Sequence, residues 1–179
     1  MVFRSCYAFL FLLGLALTLA TVRAEEPAKA VTVTEVRAPD LEKAIKDQKG
    51  KVILIDCWAT WCVPCVKKFP HLVELHKKYG SKGLACMSLS MDKFGNEDEY
   101  NKEKVLKFLK EKEAAFQNFV VTEPKKDEEP LLKLLGDFSA IPYMAMFDRS
   151  GRRVWSSDEK KLSDEDLDKK IEALIAEKP

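Results

Sequence analysis

The chain has 179 residues, with 30 Lys and Arg against 29 Asp and Glu, for a formal net charge of +1. This near-neutral balance with interleaved signs gives no footing for nucleic-acid binding, and a block such as Lys125-Lys126-Asp127-Glu128-Glu129 reads as solvated surface. Five Cys are too few to staple a disulfide-dense miniature fold, and the length suits one domain with its own core.

At the N-terminus, Arg4 precedes an almost wholly apolar run, Tyr7 to Ala20, and Val22-Arg23-Ala24 ends in a small residue. That layout predicts a secretory signal peptide over residues 1–24. An uncleaved membrane anchor is the alternative, but the run is short for a span and Gly14, Thr18 and Thr21 dilute it. Membrane contact is expected only in that case. Cys6, at the head of the run, reads as an apolar residue of the leader. Residues 25–30 read as a flexible lead, and residues 31–179 as the folded domain.

Val31, Val33 and Val36 alternate as a short strand. Asp40 is placed to cap a helix carrying Leu41, Ala44 and Ile45, with an end near Gly50. Lys51-Val52-Ile53-Leu54-Ile55 is an uninterrupted aliphatic run, which suits a strand buried on both faces and continuing to Trp58. Beyond Ala59-Thr60, apolar residues recur at helical spacing from Val66 through Phe69, Leu72, Val73 and Leu75 to Tyr79. Pro70 should kink this helix and Gly80 should stop it. Leu84 to Met91 reads as the next strand, and strand–helix–strand order predicts a parallel crossover. Asp92 to Asn101 is polar and turn-rich.

Val105, Leu106, Phe108 and Leu109 mark a further helix, and Phe119-Val120-Val121 a short strand. Pro124 to Pro130 reads as a charged loop, with Pro130 opening a helix that Gly136 ends. Pro142 to Asp148 and Arg153 to Ser156 predict a hairpin across Arg149-Ser150-Gly151-Arg152. Ser163, three residues before Asp166, opens a last amphipathic helix with Leu167, Ile171, Leu174 and Ile175. The fold class is α/β, a mixed sheet between helices.

Chemistry concentrates in Trp61-Cys62-Val63-Pro64-Cys65. Two thiols three residues apart can close into a small disulfide ring and open again. At a helix start, unpaired N–H groups and the positive end of the helix dipole stabilise a thiolate at Cys62. The thiolate is the nucleophile, and Cys65, one turn on, can resolve the mixed disulfide. Pro64 fixes φ near the start of the helix and removes an N–H that has no partner there. Half of a zinc site would look alike, but no second CxxC or suitably spaced His pair completes one. His71 and His76 lie five apart, a poor metal pair that reads as a solvated helix face. Cys57 and Cys86 read as small core hydrophobes.

Asp56-Cys57-Trp58-Ala59-Thr60-Trp61-Cys62-Val63-Pro64-Cys65, with Pro70 and a late Ile141-Pro142, resembles the thioredoxin superfamily. The form Trp-Ala-Thr-Trp-Cys-x-Pro-Cys is most similar to its exported TlpA- and ResA-type branch. The resemblance covers essentially the whole domain from Val31. It implies a thioredoxin-like fold with an insert between Asp92 and Pro142, and Cys62 and Cys65 as catalytic thiols. It implies that Asp56 assists proton transfer at the resolving thiol. Trp61 and Pro64 then flank the site, and a cis Ile141-Pro142 offers its backbone to an extended substrate segment. The partner lysine usual on the neighbouring strand is missing, and register counted back from Asp92 puts Ser88 there. In that register Cys86 and Asp56 share one sheet face and Cys57 the other, which bars a Cys57–Cys86 bridge.

The expected activity is that of an exported, periplasmic or extracytoplasmic thiol–disulfide oxidoreductase exchanging electrons with protein thiols. It would work as a monomer, with no metal and no cofactor beyond its own dithiol, supplied by an upstream donor or acceptor. Val63-Pro64 lacks a His to stabilise the thiolate further, which points to the reducing side. Copper-handling relatives resemble CxxxC with a distant His, a pattern absent here. A peroxidase of the same fold would lack the Trp-Cys-x-x-Cys form. A redox-inert binding module would not need both thiols at this spacing.

Overall fold

The computed structural model describes residues 30–95 and 97–177; the expected leader, with Cys6, and most of the lead lie outside the described residues. The molecule is organised by Val52–Trp58 (β2), in which every residue is buried. Aliphatic side chains on both faces of a strand demand cover on both faces. One cover is Val63–Tyr79 (α2), Lys102–Glu111 (α4) and Asp164–Ala176 (α6), joined in a core of Leu54, Trp58, Phe69, Leu109 and Ile171. The other is Ala38–Asp47 (α1) and Pro124–Leu135 (α5), in a core of Ile53, Ile55, Leu41, Ile45, Leu131 and Leu135. A short helix, Asp92–Gly95 (α3), follows Leu84–Ser90 (β3).

The remaining strands are Thr34–Val36 (β1), Gln117–Val121 (β4), Tyr143–Phe147 (β5) and Arg153–Ser156 (β6). They form one sheet in the order β1-β4-β3-β2-β5-β6. β1, β4, β3 and β2 are parallel, and β5 and β6 are antiparallel to their neighbours. The mixed sheet, the parallel crossover through α2 and the terminal hairpin agree with expectation. So does the cap of α6, where Ser163 Oγ accepts the Asp166 N–H at 3.2 Å. The segment between α3 and β5 contributes α4, β4 and α5, and β4 lies between β1 and β3.

Several local expectations need correction. The first strand begins at Thr34, because the carbonyl of Thr32 is taken by the Asn118 side chain at 3.2 Å instead of a strand partner. Helix α1 starts at Ala38; Asp40 sits in its first turn and its carboxylate accepts the Arg37 backbone N–H at 2.9 Å. Helix α2 ends at Tyr79 with Gly80 as its C-cap, as expected, but Gly80 keeps right-handed geometry and leads into a 3-10 turn, and the positive φ falls at Gly83, 114°. Pro70 lies inside α2, as expected.

The largest correction is the charged loop expected before Pro130. Residues 124–135 are one helix, with Pro124 in its first turn and Pro130 inside it. The reason lies elsewhere in the chain. Asp127 is buried, accepting from Arg37 Nε at 2.8 Å and from the buried Ala38 N–H at 3.2 Å. Glu123 takes Arg37 Nη1 at 3.0 Å. A charge block that reads as surface is thus partly a tertiary lock between α5 and the start of α1. Replacing Asp127 with Ala strands the Ala38 N–H away from water. The expected cost is ~1–3 kcal/mol of stability in urea unfolding, with faster amide exchange in α5.

Candidate active site

Strand β2 delivers the chain into Ala59-Thr60-Trp61 at its carboxyl end, and α2 begins directly after Cys62. Cys62 is the N-cap residue of that helix, in extended geometry, and its Sγ accepts the Cys65 N–H at 3.3 Å. Val63 and Pro64 occupy the first turn, where Pro64 forfeits an N–H that has no helical acceptor. Cys62 and Cys65 are joined as a disulfide with Cα atoms 5.2 Å apart. Both are buried, while Trp61 and Val63 beside them are exposed.

The turn is held by a residue that sequence reasoning left in a turn-rich stretch. Asp92, buried just beyond β3, accepts from the Thr60 hydroxyl at 2.5 Å, the Thr60 N–H at 3.2 Å and the Ser90 hydroxyl at 2.6 Å. Its carbonyl accepts the Trp61 indole N–H at 3.4 Å. Gly95 lies under the indole; a Cβ there would come within 2.8 Å of the Trp61 ring nitrogen. Asp92 and Gly95 together set the angle of the tryptophan. The available signal was an acid and a glycine just after a strand adjacent to β2.

Ile141-Pro142 is cis and immediately precedes β5. The Ile141 carbonyl lies 3.8 Å from Cys62 Sγ, so the fold brings the proline segment to the sulfurs although 79 positions separate them. The approach is fixed through α5. Gly136, with φ of 105°, ends that helix where a Cβ would meet the Tyr143 hydroxyl at 2.9 Å. That hydroxyl donates to the Leu135 carbonyl at 2.7 Å, and the Phe138 and Tyr143 rings stack at 4.2 Å. Trp61, Met91, Phe94, Leu131, Phe138 and Ile141 line a mainly apolar pocket beside the disulfide.

Asp56 lies within β2 and is buried. Ser88 stands opposite it on β3, as the register argument expects. Burial pushes the Asp56 carboxyl up to about 8, with the Lys68 ammonium pulling the other way. Cys57 and Cys86 are free and buried, on opposite faces of the sheet, and burial raises both thiols. His71 and His76 are half-buried, not solvated: His71 lies 3.5 Å from an Asp164 carboxylate oxygen, and His76 meets Phe116 edge to face.

A carboxyl raised from the ordinary 3.8 to about 8 binds its proton more tightly in the folded chain. Its contribution is therefore complete at low pH and is lost as pH rises through that window. Wild-type stability should fall between about pH 4 and pH 8. In Asp56→Asn this decline should be much reduced, leaving the variant more stable by a few kcal/mol at the upper end, as urea unfolding would show.

The redoxin family model matches residues 23–171. ResA of Bacillus cereus, a thiol-disulfide oxidoreductase, is 30% identical over 127 residues, which are 68% of this chain and 62% of that relative. The chain thus spans less than two thirds of the length of that relative. The thioredoxin domain of a thiol-disulfide oxidoreductase from Bacteroides vulgatus has a TM-score of 0.58 at 23% identity, covering 73% of this chain and 83% of that one. A thiol-disulfide isomerase from Corynebacterium glutamicum gives 0.60 at 19%, covering 74% and 86%. These two likenesses concern the fold alone. With a family match that runs from ahead of β1 into α6 and a thioredoxin-like sheet behind the Cys62–Cys65 pair, the chain belongs to the redoxin family.

Proposed function

We propose that this protein is an exported thiol–disulfide oxidoreductase that exchanges electrons with protein thiols through Cys62 and Cys65, on the reducing side. The observation that carries the reading is the disulfide at the first turn of α2, with Cys62 as N-cap beside the Ile141 carbonyl. The similarity to ResA supports it. Export is supported by the leader-like residues 1–24, whose removal would release a periplasmic or extracytoplasmic domain; among the described residues no helix is long and apolar enough to cross a membrane.

In the reduced protein, the first-turn N–H groups of α2 favour the Cys62 thiolate. That thiolate attacks one sulfur of a partner disulfide, forming a Cys62–partner bond and expelling the other partner sulfur as a thiolate. Cys65 gives up its proton, which Asp56 accepts, and attacks Cys62 Sγ. The Cys62–Cys65 bond forms, the mixed disulfide breaks, and the second partner thiolate leaves with the electron pair. Trp61 and Pro64 wall the approach. Ile141 and Pro142 offer the partner chain a backbone rest next to the reacting sulfur. An upstream donor returns the dithiol. The absence of a His between the two Cys favours the reducing direction.

Cys62→Ser should abolish reduction of a protein disulfide. Cys65→Ser should accumulate mixed disulfides with partners, visible on non-reducing gels. Accumulation by the Cys62 variant instead would reverse the two roles, and loss of neither behaviour would favour a redox-inert module. In the reduced protein, alkylation against pH should give Cys62 a midpoint below the ~8.5 of a free thiol, and Cys65 none so low.

A further inference from the structure

Helix α5 carries an exposed carboxylate that the fold does not use. Its acidic neighbours are tied down: Asp127 and Glu123 take Arg37, and Glu123 also takes Lys126. Glu128 makes no hydrogen bond or ion pair with another described residue. It stands instead in the wall of the pocket beside the disulfide, a cavity of ≈ 260 Å³. Leu131 and Leu132, three and four positions on, share the face of α5 that lines this pocket. Among the described residues of the lining, Glu128 carries the only charge. Lys93, next to Phe94, is turned onto the Thr122 carbonyl at 3.4 Å and the Tyr100 ring at 4.7 Å.

Trp61, Phe94 and Phe138 make the other walls aromatic. Trp61 is set in place by the Asp92 carbonyl and by Gly95, and Phe138 by its stack on Tyr143. The cavity is smaller than the roughly 300–1,000 Å³ of small-molecule sites and suits a single side chain. Aromatic walls with one exposed carboxylate fit a side chain that has an apolar stem and a cationic head. Arginine fits best, because its guanidinium stacks on rings and pairs with a carboxylate through two N–H groups. An aliphatic side chain would leave Glu128 unused, and an acidic one would be repelled. Ile141 joins the pocket to the chemistry: it lines the cavity, and its carbonyl lies 3.8 Å from Cys62 Sγ.

We propose that this pocket is a specificity subsite: it receives a basic side chain of the partner, arginine best, from a position near the partner's reactive cysteine, and Glu128 selects it. The inference rests on the oxidoreductase reading and adds the class of partner. An extended segment advances ~3.3 Å per residue, so a partner lying along Ile141 with its cysteine at Cys62 brings a side chain one or two positions away to the pocket. The stem packs against Trp61, Phe94 and Phe138, and the charge meets Glu128. Both contacts hold the partner sulfur at Cys62 and raise the rate of exchange. Because the ion pair is exposed, the preference weakens as salt rises.

The test is the single-turnover reaction of the reduced full chain with short peptides that carry one cysteine as its mixed disulfide with thionitrobenzoate. Arg, Leu or Glu is placed in turn one or two positions to either side of that cysteine. Cys62 attacks the peptide sulfur, the Cys62–peptide bond forms, and coloured thionitrobenzoate leaves with the electron pair. At the best placement the Arg peptide should react about 3–10-fold faster than the Leu peptide, with the Glu peptide slowest. Glu128→Gln should cut the Arg-to-Leu ratio by about half or more, and Glu128→Lys should put the Glu peptide ahead of the Arg peptide. Each ratio compares peptides within one variant, so a change in overall rate cancels. Equal Arg and Leu rates at every placement in wild type overturn the subsite. A ratio that stays at its wild-type value in Glu128→Gln overturns the role of Glu128. If wild type releases no thionitrobenzoate from any peptide or from the symmetric aromatic disulfide, the oxidoreductase reading fails. The subsite is then decided by a cysteine-free Arg peptide, which should shift the Trp61 indole N–H resonance in wild type and do so less in Glu128→Gln; no shift in wild type overturns it as well.

Discussion

A sulfur at the N-cap of a buried helix is the constraint around which this molecule is arranged. Cys62 accepts the Cys65 N–H where serine or aspartate would usually cap, so its sulfur sits in the field of the unpaired N–H groups of α2. That position is useful only if the helix cannot move. Phe69, Leu72, Leu75 and Tyr79 bury its inner face, and Phe69 meets Trp58 at a tilt and Phe108 edge-on, with ring centroids 4.8 and 5.1 Å away. The aromatic cluster thus ties the redox helix to the strand before it and to α4 from the inserted segment.

The same segment shapes the site from the other side. Helix α5 is held to α1 by Arg37 and Asp127, and it ends at Gly136 so that the next residues reach Cys62 through Phe138 and Ile141. Asp92 then fixes the turn on which Cys62 stands. Contacts made by Arg37, Asp92 and Asp127 and the turn at Gly136, residues distant from Cys62 in sequence, therefore shape the surface that surrounds it. Exposed Trp61 is held by the same device, which makes its orientation a property of the tertiary fold.

Burial holds Asp56 and the two free cysteines of the sheet towards their neutral forms. Cys57 and Cys86 remain thiols because burial disfavours their charged forms, and they project from opposite faces, which keeps them out of exchange with one another. Burial pushes the Asp56 carboxyl up to about 8 against the opposing Lys68 charge.

Local sequence determined the elements whose reasons are local. The aliphatic run of β2 has no alternative to burial, the Cys62–Cys65 spacing has one turn of helix to fit, and Ser163 caps by its own hydroxyl. Ile141-Pro142 was legible through family resemblance, not through periodicity. Tertiary structure alone decided residues 124–130, whose charges read as loop until Arg37, about ninety positions earlier, meets Asp127. It also decided the start of β1, set by an asparagine side chain. Asp92 and Gly95 were invisible as site residues because a carboxylate's partners and a glycine's missing Cβ have meaning only once β2 and β3 lie side by side. Periodicity reports which face of a segment is apolar; it carries no information about which distant group will satisfy a buried charge.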